Sequence, residues 1–131
     1  MKRIYVTEDS PTQALRVGKI LQLIPDCQVR FFNDGLAAYQ EVLLNPPDLL
    51  LLDLILPSLH GLAVARLLKY HEDYQHIPIL IFSSITEQSL ADSVGVSGAN
   101  SFLRKPFEAE DLLYEVRRLL ELPQEAASQG S

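Results

Sequence analysis

The sequence predicts an α/β domain built on a parallel sheet wound with helices on both faces. Three observations predict it. Short apolar runs alternate with helix-period segments along the whole chain. One run, Leu49–Leu52, is unbroken leucine, the pattern of a strand covered on both faces. The links are short, and repeated strand–helix alternation with short links implies a parallel sheet with helices on both faces.

The elements follow in order. Ile4 to Thr7 reads as the first strand. Ser10-Pro11-Thr12-Gln13 opens a helix, with Ser at the cap, Pro at the first position and Gln three residues after the cap. Ala14, Leu15, Ile20, Leu21 and Ile24 are its expected inner face. Gln28 to Phe32 is the second strand. Asn33-Asp34-Gly35 turns into a helix running to about Leu44, where Asn45-Pro46-Pro47 stops it. Leu49–Leu52 is the third strand. A helix over about Leu59 to Tyr70 follows, with Leu62, Ala65, Leu67 and Leu68 inward. Pro78 opens the fourth strand, Ile79 to Phe82. The next helix, near Glu87 to Val94, is short and serine-bearing, and glycines follow at 95 and 98, so it is the weakest by propensity. Ser101 to Leu103 is the fifth strand. The last helix spans about Ala109 to Leu122, with Leu112, Leu113, Val116, Leu119 and Leu120 as its stripe. Glu108, Glu110 and Asp111 suit its positive end. Residues 1–122 form one expected domain, and 123–131 a small, polar tail expected to be disordered.

At 131 residues the chain is long enough for a single hydrophobic core. Its net charge of −6 leaves no basic footprint, so direct nucleic-acid binding is not expected. One cysteine, Cys27, forms no internal disulfide and has no activating neighbours, so it reads as a structural thiol in a reducing, cytoplasmic setting. No apolar stretch approaches the ~18 residues that span a bilayer, so no membrane insertion is expected.

Asp53 carries the most chemical information. It closes an apolar run, a costly place for a charge without a partner or a task. Glu8-Asp9 ends the first strand, Ser83 the fourth and Lys105 the fifth. Parallel sheets place ligands beyond the carboxyl ends of their strands, and all five residues fall at that edge. Three crowded carboxylates repel one another, and a hard divalent cation relieves them. Mg²⁺ would take Asp9 and Asp53 directly, Glu8 directly or through water, and a main-chain carbonyl just after Asp53, at Ile55. Asp53 would be the nucleophile for a phosphoryl group, Lys105 its counter-ion and Ser83 a donor to a phosphoryl oxygen. Taken singly, each residue has an ordinary reading: a helix-opening acidic pair, a turn aspartate, a strand-end serine, a loop lysine. Their convergence on one edge favours the site.

These residues give the chain its resemblance. Glu8-Asp9-Ser10, Asp53 with Pro57 and Gly61 at the D-x-x-x-P-x-x-x-G spacing, Ser83, and Lys105-Pro106-Phe107 make it similar to the receiver domain of bacterial two-component response regulators. It resembles specifically the stand-alone kind, similar to the chemotaxis response regulator. The resemblance covers residues 2 to about 121. It implies a (βα)₅ flavodoxin-like fold with strand order 2-1-3-4-5. It implies phosphotransfer to Asp53 from a sensor histidine kinase or a histidine phosphotransfer protein, with Mg²⁺, and signalling by phosphorylation-dependent binding to a downstream target protein. It also implies a cis Lys105–Pro106 bond and a switch in which Ser83 moves and the aromatic Phe102 responds. The switch surface would be the helix near 87–94, the fifth strand and the last helix. The protein would phosphorylate itself without turning over external substrates. Nine residues follow Leu122, so the message is expected to pass by binding.

Departures from the pattern matter too. Ile55 and Ile85 stand two residues after Asp53 and Ser83, where many receivers carry polar groups that orient water. Slow autodephosphorylation is the expectation. His60 precedes Gly61 where an acid is frequent, and has no assigned role. His71 and His76 around Glu72-Asp73 read as a solvated loop. A non-phosphorylated interaction module of the same fold is the alternative, against which the complete set Asp9, Asp53, Ser83 and Lys105 argues. An FMN-binding protein would not place two acids at its phosphate loop, and no G-x-G-x-x-G supports a dinucleotide fold.

Overall fold

The computed structural model describes residues 1–83 and 97–124. Its elements are β1 (Lys2–Thr7), α1 (Pro11–Leu21), β2 (Cys27–Phe32), α2 (Gly35–Leu44), β3 (Leu49–Asp53), α3 (Gly61–Lys69), β4 (Ile79–Ser83), β5 (Ser101–Arg104) and α4 (Ala109–Leu119). The expected helix near 87–94, Ile85 and the tail from residue 125 lie outside the described residues.

All five strands pair in parallel in the order β2-β1-β3-β4-β5. The fold is therefore the flavodoxin-like sheet that the sequence predicts. Register brings Thr7 beside Leu52, Asp53 beside Phe82 and Ser83 beside Arg104, so the strand ends that carry the expected site residues share one edge. Side chains alternate across the buried strands. Ile4, Val6, Leu51, Leu80 and Phe82 meet α1 and α4 on one face. Tyr5, Leu50, Leu52, Ile79 and Ile81 meet α2 and α3 on the other. Each fully buried Leu contributes about 1.5–3 kcal/mol, which makes β3 the centre of the structure.

Several boundaries and faces differ from expectation. β1 begins at Lys2 and β2 at Cys27, because the edge pairing Lys2–Cys27 extends both strands below their apolar runs. α4 ends at Leu119, three residues short, where Glu121 takes φ 59°. Leu15 and Leu67 are outward, 61% and 46% exposed, while Val17 and Val64 are buried in their place. A helix buries a stripe set by where its axis crosses the sheet, and periodicity alone leaves its rotation open. Cys27 is half-buried, and burial pushes its thiol up, as suits a structural cysteine. Among the described residues, no helix is long and apolar enough to cross a membrane.

Caps secure the helices whose starts face the site. Ser10 Oγ accepts from the Gln13 amide at 3.4 Å, and Asp34 Oδ1 from Ala37 at 2.7 Å. His60, given no role on sequence, caps α3: its Nδ1 accepts from the Leu62 amide at 3.2 Å.

Candidate functional site

β1 delivers Glu8 and Asp9 just past its last residue. Glu8 is 4% exposed and Asp9 is exposed. The Glu8 amide donates to the Phe32 carbonyl, and its Oε2 accepts from Ser10 N at 3.2 Å. β3 delivers Asp53 as its final residue, 9% exposed, with Oδ1 accepting from Ile55 N at 3.3 Å. Lys105 follows β5. Its amide donates to the Ser83 carbonyl at 2.7 Å, and the Lys105–Pro106 bond is cis. Its Nζ lies 2.9 Å from Asp53 Oδ2 and 2.9 Å from Glu8 Oε1. The ammonium also sits 5.0 Å from the Phe82 ring centroid.

One ammonium thus bridges two nearly buried carboxylates. Burial pushes Glu8 up from its usual range, and the Asp53 carboxylate adds to this; Lys105 opposes but does not cancel it. Burial alone would lower Lys105, yet its bonds to Asp53 and Glu8 outweigh burial and raise it. The cluster is short of positive charge. Carboxylate oxygens of Glu8, Asp9 and Asp53 lie within 4.8 Å of one another. Oxygen donors, crowded charge and an exposed third ligand suit a hard divalent cation.

Ser83 ends β4 and is buried. Phe102, half-buried on β5, packs against the α2–α3 side of the core beside Ile81. The structure therefore brings Glu8, Asp9, Asp53 and Lys105 together, with Ser83 at the same sheet edge, whereas Phe102 lies two residues short of that edge. The Ile55 side chain is 58% exposed beside Asp53. His71 is occupied locally: Nδ1 accepts from Asp73 N at 3.1 Å, and its ring meets Tyr74 edge-on at 4.8 Å.

Sequence reasoning missed how the loop after Asp53 is held. Ser58, at φ 62°, donates to Asp34 Oδ1 at 3.0 Å, and Gly35 N donates to the Pro57 carbonyl at 3.1 Å. A Cβ on Gly35 would fall 1.8 Å from the Leu59 carbonyl oxygen. Asp34-Gly35 signals a helix start; nothing in it announces that the same pair staples a loop more than twenty residues away.

Residues 4–117 match the response regulator receiver domain family. The regulator RpaA of Synechocystis sp., a DNA-binding dual master transcriptional regulator, is 32% identical over 92% of this chain and 49% of its own length. PilH of Pseudomonas aeruginosa is 27% identical over 92% of this chain and 98% of its own. The chain spans about half or less of the length of the first curated relatives it matches. Among solved structures, the signal receiver domain of a histidine kinase from Syntrophus aciditrophicus superposes with a TM-score of 0.86, at 30% identity over 96% of each chain. The Mn²⁺-bound form of the response regulator Rcp1 gives 0.80, at 27% identity over 95% of this chain and 100% of its own. With the parallel sheet, the acidic edge and the lysine in place, this chain belongs to the response regulator receiver domains of two-component signalling.

Proposed function

We propose that the protein accepts a phosphoryl group on Asp53 and signals by phosphorylation-dependent binding to a downstream protein. The observation that carries the reading is the Lys105 ammonium, 2.9 Å from both Asp53 Oδ2 and Glu8 Oε1, with Asp9 alongside. Residues 1–122 are the phosphoacceptor unit and 123–131 a tail outside it.

The donor is a phosphohistidine on a histidine kinase or phosphotransfer protein. An Asp53 carboxylate oxygen attacks phosphorus as the P–N bond breaks. The electron pair leaves with the imidazole nitrogen, which takes up a proton, and an acyl phosphate remains on Asp53. Glu8, Asp9, Asp53 and the Ile55 carbonyl would hold Mg²⁺. When bound, the cation neutralises charge on the phosphoryl oxygens and screens them from the carboxylates. Its support is the donor set here and the Mn²⁺-bound form of the similar response regulator Rcp1. Lys105 exchanges its carboxylate partner for a phosphoryl oxygen, and Ser83 donates to another. Drawing Ser83 inward frees space that Phe102 fills, which carries the signal to β5 and its surroundings.

The test is incubation with a small acyl-phosphate donor and Mg²⁺, read by intact mass. One phosphate adduct is expected for the wild type. None is expected for Asp53→Asn, for folded Asp9→Ala, or with Mg²⁺ chelated. An adduct persisting in Asp53→Asn overturns the assignment.

A further inference from the structure

We propose that Arg16 is a positioning residue for this reaction, setting where the Lys105 ammonium sits between Glu8 and Asp53. The inference rests on the reading of Asp53 as phosphoacceptor. Arg16 lies on α1, and its Nη2 donates to the Phe107 carbonyl. Its guanidinium carbon stands 5.0 Å over the centroid of the Phe107 ring. One side chain therefore holds both the main chain and the ring of a residue two beyond Lys105.

The contact continues inward. The Phe107 ring, 5% exposed, meets Phe82 edge-on with centroids 6.1 Å apart. Phe82 in turn lies 5.0 Å from the Lys105 ammonium. At its other end the loop is held by the Lys105 amide on the Ser83 carbonyl. Lys105 to Phe107 is thus clamped by β4 at its start and by α1 at its end. α1 begins directly behind the acidic pair, where Ser10 both caps the helix and donates to Glu8 Oε2. One rigid helix therefore references the carboxylates and the lysine to each other.

Guanidinium chemistry suits this role. Its planar fork donates to a carbonyl while its face stacks on a ring, which an ammonium cannot reproduce. An apolar side chain could cover Phe107 but could not fix the position of its carbonyl. Placement to a fraction of an ångström matters for phosphoryl transfer, because a ~1 Å error can cost about 10²-fold in rate.

The experiment uses the full chain and three variants. Arg16→Met keeps length over the ring but removes the fork and charge. Arg16→Lys keeps the charge. Leu119→Ala, at the far end of α4, loses core contact without touching the site. Three quantities are read: the rate of adduct formation from a small acyl-phosphate donor at saturating Mg²⁺, the Tm, and the Lys105 side-chain NMR resonances with no donor present. Arg16→Met should slow adduct formation by about 5- to 20-fold and shift the Lys105 resonances. Arg16→Lys should recover only part of each. Leu119→Ala should lower Tm and change neither. If Arg16→Met does not fold, Arg16→Lys decides by the same readouts. Unmoved Lys105 resonances, an unchanged rate, or equal losses in Leu119→Ala overturn the proposal. A wild type that takes no phosphate overturns the reading of Asp53 instead. The Lys105 resonances then decide the role of Arg16 alone: a shift specific to the Arg16 variants supports it, and no shift overturns it.

Discussion

Thr7 carries a local conflict. Its side chain is fully buried one residue before Glu8, and among the described residues its hydroxyl has no hydrogen-bond partner. Leaving a buried hydroxyl unsatisfied costs about 1–3 kcal/mol. Thr7→Val keeps the branched shape and removes the orphan, so it should raise stability by about 1 kcal/mol in urea denaturation. A loss of stability would mean that the hydroxyl has a water partner. Ile55 is a second residue-scale case. Hydrolysis of an acyl phosphate on Asp53 would need water in line with phosphorus, opposite the Asp53 oxygen, and the apolar Ile55 side chain, 58% exposed beside Asp53, has no group to orient it. Ile55→Asn should speed decay of the phosphorylated protein by about three- to tenfold after the donor is removed at constant Mg²⁺. Equal or slower decay would show that water approaches by another route.

At the scale of the element, α3 is built against the site rather than merely near it. Gly61 opens the helix, and its amide donates to the Leu54 carbonyl at 2.9 Å. A Cβ there would lie 2.2 Å from the carbonyl oxygen of Asp53 itself. No flexible side chain can yield, because the obstacle is main chain. Gly61→Ala should therefore cost about 1–3 kcal/mol in stability. It should also slow phosphate uptake, since relief of the clash would move Asp53, the proposed phosphoacceptor. Measuring both by denaturation and intact mass separates this from ordinary packing: lost stability with an unchanged uptake rate would mean that Asp53 holds its place while α3 shifts.

Across the whole molecule, the site joins three separate strand ends through one lysine, and only two of those strands, β1 and β3, are neighbours. Lys105, which pairs with Asp53, follows β5 and donates its amide to the carbonyl of Ser83 at the end of β4, so a change at Asp53 has a path to both strand ends. Amide NMR shifts on adding a phosphoryl mimic with Mg²⁺ should concentrate between residues 83 and 107, besides the site itself. Shifts confined to α1 and α2 would contradict that path.

The sequence by itself determined the strand and helix succession of the described residues, the parallel sheet and the candidate site. Apolar runs such as Leu49–Leu52, and acids or a lysine at their ends, are local facts readable without coordinates. The Ser10 cap, written in short-range chemistry, was legible for the same reason, and Asn33-Asp34-Gly35 marked a helix start, whereas the His60 cap was not legible, because histidine seldom serves as one. Only the tertiary structure decided which faces are buried, where Val17 and Val64 displace Leu15 and Leu67 from the core. It alone decided that Lys105 pairs with Glu8 as well as Asp53, that Asp34 and Ser58 join, and that Arg16 reaches Phe107. Those contacts link residues far apart in the chain. Their geometry depends on helix rotation and strand register together, and neither is encoded in any single local pattern.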